Sequence, residues 1–249
     1  MPSHALVYEY PSLLSGVLVK RYKRFFAEIQ LDSGELITAH CPNTGPMTGI
    51  YIPGMPVQVS YSHNPSRKLP YTWEMVQVPS GNQSQGASVN GEPVWVGVNT
   101  ALPNRIVKHM LETHLLPELG NYAQVSSEVV YGQERSRIDF RLAADPPIYV
   151  EVKNTTWTAG NLALFPDTVT TRGQKHLREL MALLPQSRAV MLYFINRGDC
   201  PYFAPGDSAD PTYGALLRSA IAHGLTVLPC RFQVSPYGIH YIGLAKVCL

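Results

Sequence analysis

The chain has 249 residues, 45% of them hydrophobic, and 20 basic against 18 acidic residues leave a net charge of +2. That describes a globular chain of one large or two modest domains, and so small a charge excludes recruitment of nucleic acid by global electrostatics; only a local basic patch could meet it. No stretch has the makeup of a secretory leader or the length of a membrane span, and four scattered cysteines without a C-x-x-C pair fit a reducing, cytoplasmic setting better than a zinc ribbon or disulfide scaffold.

Up to about Val78 the chain is built of short β-type runs: "GVLVKRYKRFFAEIQL", "ELITAH", "MPVQVSYS" and "YTWEMVQV". Gly, Pro and Asn punctuation separates them, which predicts a small closed barrel or sandwich. Within the first run, Lys20, Arg21, Lys23 and Arg24 surround Tyr22, Phe25 and Phe26. Cations that neutralise phosphate beside rings that stack on bases suit a nucleic-acid surface. The plain alternative is an amphipathic strand whose rings are core. Arg67 and Lys68, in a following loop, extend the basic patch. Turn chemistry alone explains Asn43 and Gly45 of "CPNTGPMTG". The segment "PSGNQSQGASVNGEP", with Val89 its one aliphatic residue, reads as a linker, so the boundary is set at 85: residues 1–85 and 86–249.

Strands and helices alternate in the second part. "NRIVKHMLETHLLPEL" carries a helical apolar stripe with Asn104 as cap candidate, and capping is also the reading for Asn99 and Thr100. Strands are expected in "AQVSSEVVY", "SRIDFRLA" and "IYVEVK". A helix follows in "TTRGQKHLRELMALL", a buried strand in "AVMLYFIN", another helix ending at Gly224, and a strand in "LTVLPCRF". Helices on both faces of a mixed α/β sheet are the predicted result.

One strand breaks its own apolar pattern. Glu151 and Lys153 share a face of "IYVEVK", with Val150 and Val152 on the other. Asp139, in the preceding strand, is placed to lie across from Glu151. Two converging carboxylates repel unless a cation joins them, and Mg²⁺ or Mn²⁺ is the expected cofactor. Such an ion would polarise a phosphate, Lys153 would orient water or stabilise charge on phosphorus, and Glu128 is the candidate third oxygen ligand. An exposed ion pair is the bland alternative. Arg172, Lys175, His176 and Arg178 bring charge near this site from the next helix.

The D…E-x-K arrangement of Asp139, Glu151 and Lys153 resembles the core of the PD-(D/E)xK nuclease superfamily, with Ile138 where proline would stand. The wording "HCPNTGPM", "VGVNTALPNRIV", "SRIDFRL", "YVEVKNTTW" and "FPDTVTTRGQKHLREL" is similar, over essentially the whole chain, to the sugar fermentation stimulation protein A family. The resemblance implies an N-terminal OB-like barrel, a C-terminal PD-(D/E)xK nuclease-like domain, and DNA binding without strong sequence preference. In the superfamily's pattern Gln174 and Lys175 match polar residues of the helix, adding Lys175 to the catalytic candidates. The nucleic-acid candidates are Lys20, Arg21, Lys23, Arg24, Arg67, Lys68 and Arg172. The expected partners are single- or double-stranded DNA and a second copy of the chain, with no membrane. The competing reading is a regulator of sugar (maltose) use that binds DNA on a degenerate nuclease fold.

Overall fold

A computed structural model describes residues 4–80, 92–132, 136–184 and 186–249. Most of the expected linker, 81–91, lies outside the described residues. The first layer is a barrel of β2 (Leu13–Tyr22), β3 (Phe26–Leu31), β4 (Leu36–His40), β5 (Pro56–Tyr61) and β6 (Tyr71–Pro79), which follow β1 (Ala5–Glu9) in the chain. Its order is β4-β3-β2-β5-β6, and β4 closes parallel onto β6, so the barrel leaves no free edge. Period-two alternation puts Ala27, Ile29 and Leu31 of β3 inside and Glu28 and Gln30 outside. Where β2 crosses β3, a Cβ on Gly16 would stand 2.5 Å from the Gln30 carbonyl oxygen, so only glycine permits that approach.

The second layer holds β7 (Pro93–Gly97), α1 (Leu102–Glu112), β8 (Val125–Tyr131), β9 (Ser136–Leu142), β10 (Ile148–Thr155), β11 (Thr158–Ala159) and β12 (Leu162–Phe165). It continues through α2 (Thr171–Leu183), β13 (Arg188–Ile195), β14 (Tyr202–Pro205), α3 (Pro211–Ala222), β15 (Thr226–Ser235), β16 (Gly238–Leu244) and β17 (Lys246–Val247). The main sheet runs β15-β13-β10-β9-β8, parallel between β15, β13 and β10 and antiparallel beyond. Along β13, Val190, Leu192 and Phe194 face the α1 core, while Ala189, Met191, Tyr193 and Ile195 face the core under α2 and α3. The strand is buried on both faces, which is why it reads as one unbroken apolar run.

Three features depart from the sequence reading. The run "GVLVKRYKRFFAEIQL" is a hairpin, turning at Lys23 and Arg24 with left-handed backbone (φ 48° and 63°). Its rings stay out of the barrel core, and Phe25 is 49% exposed. Residues 5–9 do not belong with the barrel: β1 pairs antiparallel with β16, and Val7 and Tyr10 pack into the α1 core. Finally, β11, β12, β14 and β17 form a small separate sheet over strands too short to show a period. The barrel and the α/β unit are joined through β7, which pairs β6 along its length and meets β15 at Trp95↔Val234.

Candidate functional site

The two carboxylates sit where two strands part. The ladder between β9 and β10 runs Ile148↔Leu142, Tyr149↔Arg141, Val150↔Phe140 and stops. Glu151 and Asp139 would be the next pair. Instead Asp139 Oδ2 accepts the Val152 amide at 2.7 Å, so a side chain takes the donor the ladder gives up. Its other oxygen accepts from Asn104 Nδ2 at 2.7 Å. Pro103 stands in the first turn of α1, so Asn104 lies inside the helix and is not its cap. Asn99 Oδ1 accepts the Ala101 amide at the helix start.

Glu151 is 3% exposed. Its Oε1 accepts from Lys153 Nζ at 2.6 Å and from Nδ1 of His176, whose Nε2 lies 3.5 Å from Arg172 Nε. Its Oε2 is buried without a partner. Burial opposes ionisation of Glu151, but the His176 hydrogen bond and the Lys153 charge outweigh it and hold the carboxyl below its ordinary pKa. Asp139 goes the other way. Burial and then the Glu151 charge push it up, against the Val152 amide, Lys153 and Asn104.

The expected roles divide accordingly. Asp139, Glu151, Lys153, His176 and Arg172 are brought together. His176, not Lys175, reaches Glu151, because its position on α2 shares the buried face of Gly173, Leu177 and Leu180. Gln174 bonds both oxygens of Asp210, the cap of α3. Glu128 is exposed at a left-handed φ of 55°, and among the described residues no cluster of three or more His, Cys, Asp or Glu side chains could hold a metal. Glu128 is therefore not placed as the third ligand.

A two-carboxylate site still fits a hard divalent ion, which commonly keeps several waters and needs only one or two protein carboxylates. The buried, unpartnered Glu151 Oε2 is the oxygen with capacity for it. Asn104 and His176 are the participants the sequence reading left as a cap and as nearby charge. The signal for Asn104 was the preceding proline; for His176 it was the helical spacing to Leu180.

On the barrel, the basic candidates separate. Arg21 is committed to structure, its Nη2 donating to the carbonyls of Arg24, Asn43 and Gly45 at 3.1, 2.8 and 3.1 Å. Lys20 pairs with Glu28 at 3.2 Å on the surface. Lys23, Arg24 and Phe25 form the exposed tip, with Tyr22 stacked on Phe26 at 5.3 Å. Paired positions carry this row across the barrel from Tyr22↔Phe26 to Phe26↔His40 to His40↔Thr72, and Arg67 Nη2 donates to Thr72 Oγ1 at 3.0 Å. The β2–β3 and β5–β6 loops, home of Arg24 and Arg67, are those by which five-stranded barrels of this topology hold oligonucleotides. Lys68 is exposed in the second loop.

The family described as "Sugar fermentation stimulation protein RE domain" matches residues 101–238, and "SfsA N-terminal OB domain" matches 19–83. A sugar fermentation stimulation protein homolog of a Cyanothece species is 65% identical over 98% of both chains, and one of Synechococcus elongatus 66% over the same shares. The chain belongs to the sugar fermentation stimulation protein family. The fold is that of the family too: SfsA from Pyrococcus furiosus, solved in complex with Ca²⁺, superposes with a TM-score of 0.83 at 23% identity, over 98% of this chain and 100% of that one. The family's N-terminal OB domain is the barrel described above, a fold suited to binding nucleic acid. Among the described residues no helix is long and apolar enough to cross a membrane.

Proposed function

We propose that this protein holds DNA on its barrel with little sequence preference, and that Asp139, Glu151 and Lys153 form a divalent-cation-dependent site for phosphodiester hydrolysis. The observation that carries the second part is the buried Glu151 Oε2, an oxygen without a partner beside a lysine and a second carboxylate. An unsatisfied buried carboxylate oxygen is costly, and a bound cation would satisfy it. The related SfsA from Pyrococcus furiosus was solved with Ca²⁺, which supports a hard-cation site in this fold.

Asp139 and Glu151 would hold Mg²⁺ or Mn²⁺, which when bound polarises a phosphate and lowers the pKa of a coordinated water. Lys153 would keep its ammonium beside the scissile phosphate and stabilise the charge that develops there. His176 fixes the Glu151 rotamer and Asn104 fixes that of Asp139. The sequence carries no helix-turn-helix pattern, in keeping with binding through charge and ring faces.

A second reading, a non-cutting DNA-binding regulator, is favoured by one observation: Lys153 and His176 both occupy Glu151 Oε1, and among the described residues no third acidic ligand joins Asp139 and Glu151. Incubating single- and double-stranded DNA with purified protein, in Mg²⁺, Mn²⁺ or chelator, separates the two. Lys153→Ala should bind DNA like the parent and cut about 100- to 1,000-fold more slowly. Fragments released equally by parent and variant would remove catalysis from the account.

A further inference from the structure

A small pocket lies where the loop after β4 meets the end of β10. Asn43, Asn154, Thr155, Trp157, Phe165 and Asp167 stand on its walls. Its volume of about 130 Å³ is well below the roughly 300–1,000 Å³ typical of drug-sized ligands, which leaves room for a single ring system. The lining chemistry decides what kind. It offers two aromatic side chains, amides, hydroxyls and one carboxyl, and no Lys or Arg among its residues. A phosphate would meet Asp167 without a cation to offset it. A nucleobase would meet aromatic side chains, with Trp157 the ring open to stacking because Phe165 already packs on Tyr193 and Tyr213, and polar groups for its edge.

Thr155 on the pocket wall is a second, independent observation. It is 1% exposed, and its Oγ1 has no hydrogen-bond partner. Buried hydroxyls are ordinarily satisfied, and leaving one unsatisfied is costly. Thr155 shares a face of β10 with Lys153, two residues earlier, so a base seated here would lie on the same sheet face as Lys153 and Glu151. A second, larger cavity shares Gly45 with the pocket and has Arg24, Thr44 and Thr168 on its walls, giving the backbone a path from the barrel hairpin.

We propose that this pocket receives one unpaired nucleobase of the bound strand, and that Asp167 selects bases carrying an exocyclic amine. A carboxylate accepts from cytosine N4 or adenine N6, whereas the corresponding thymine edge presents an acceptor that repels it. The inference rests on the nucleic-acid reading above, not on cleavage. Single-stranded substrate enters directly, and duplex must give up one base from its stack.

The test is equilibrium binding of short labelled oligo-dC, oligo-dA and oligo-dT in chelator, where no cutting can intervene. Oligo-dC and oligo-dA should bind about fivefold or more tightly than oligo-dT. Asp167→Asn should level the three affinities. Trp157→Ala should weaken oligo-dC about tenfold, and Trp157→Phe, which keeps a stacking ring, should restore most of it. Equal affinities for the three homopolymers, unmoved by Asp167→Asn, would overturn the pocket while leaving DNA binding in place. Failure of every homopolymer and duplex to bind would overturn the nucleic-acid reading itself, and the pocket with it.

Discussion

Burial acts on Asp139 and Glu151 alike, yet their partners send them in opposite directions, and stability should record the difference. Glu151 has a lowered folded-state pKa, so the stability it contributes is present above the pKa of an unfolded-chain glutamate and is lost as pH falls through the lowered value. Asp139 has a raised one, so its contribution is full below the pKa of an unfolded-chain aspartate and is lost as pH rises through the raised value. At neutral pH, Asp139→Asn should therefore unfold at a higher urea midpoint than the parent. Glu151→Gln should lose up to about 3 kcal/mol, because it strands the Lys153 ammonium in a largely buried site. The reverse order of midpoints would contradict this electrostatic account. Glu151 and Lys153 were legible in the sequence because they interrupt an apolar strand, where a charge stands out. Asn104 and His176 were harder to read: Pro103 and the spacing to Leu180 mark their places on a helix, but a helix does not announce which of its polar residues faces a carboxylate from another element.

The hairpin between β2 and β3 carries its charge on a strained turn. Lys23 and Arg24 both occupy left-handed backbone, a region suited to glycine and asparagine. Replacing them with Lys23→Asn and Arg24→Gly removes two positive charges while relieving the backbone. DNA affinity should fall, and the slope of its logarithm against that of salt should flatten by about 1 to 2, since each lost phosphate contact is worth about 0.9. The thermal midpoint should hold or rise. A lower midpoint with an unchanged salt slope would show that the turn serves the barrel and not a ligand. Longer elements were readable from their apolar patterns, periodic or unbroken: the mixed sheet's strands, the helices α2 and α3, and the barrel runs. The hairpin was hidden because its tip, "KRF", has none of the glycine or asparagine that marks a turn. The small sheet of β11, β12, β14 and β17 was hidden because two to four residues cannot display an alternation. The pairing of β1 with β16 joins opposite ends of the sequence, and no local signal reports it.

At the scale of the whole molecule the two units share more than a connection. The Val98 amide donates to the Glu74 carbonyl of the barrel strand at 2.8 Å, and the Gly97 amide donates to the Asn196 carbonyl after β13 at 3.0 Å. A Cβ on Gly97 would stand 2.2 Å from Asn196 Oδ1, so Gly97→Ala forces the buried Asn196 side chain to move and should cost about 1–3 kcal/mol. Trp73, fully buried in the barrel, and Trp157, in the α/β unit, give separate fluorescence reports once each is isolated by Trp→Phe changes elsewhere. Their urea transitions should coincide, in the parent and in Gly97→Ala alike. Two separated transitions in the parent would show that the joint does not couple the units. Among the described residues the joint is made of paired strands, which bend less readily than a hinge loop. The interval from the Lys23 tip to Glu151 is then a constant of the molecule, and a strand gripped at one and broken at the other would be cut to measure, its fragment length set by the protein's own dimensions and not by the bases between.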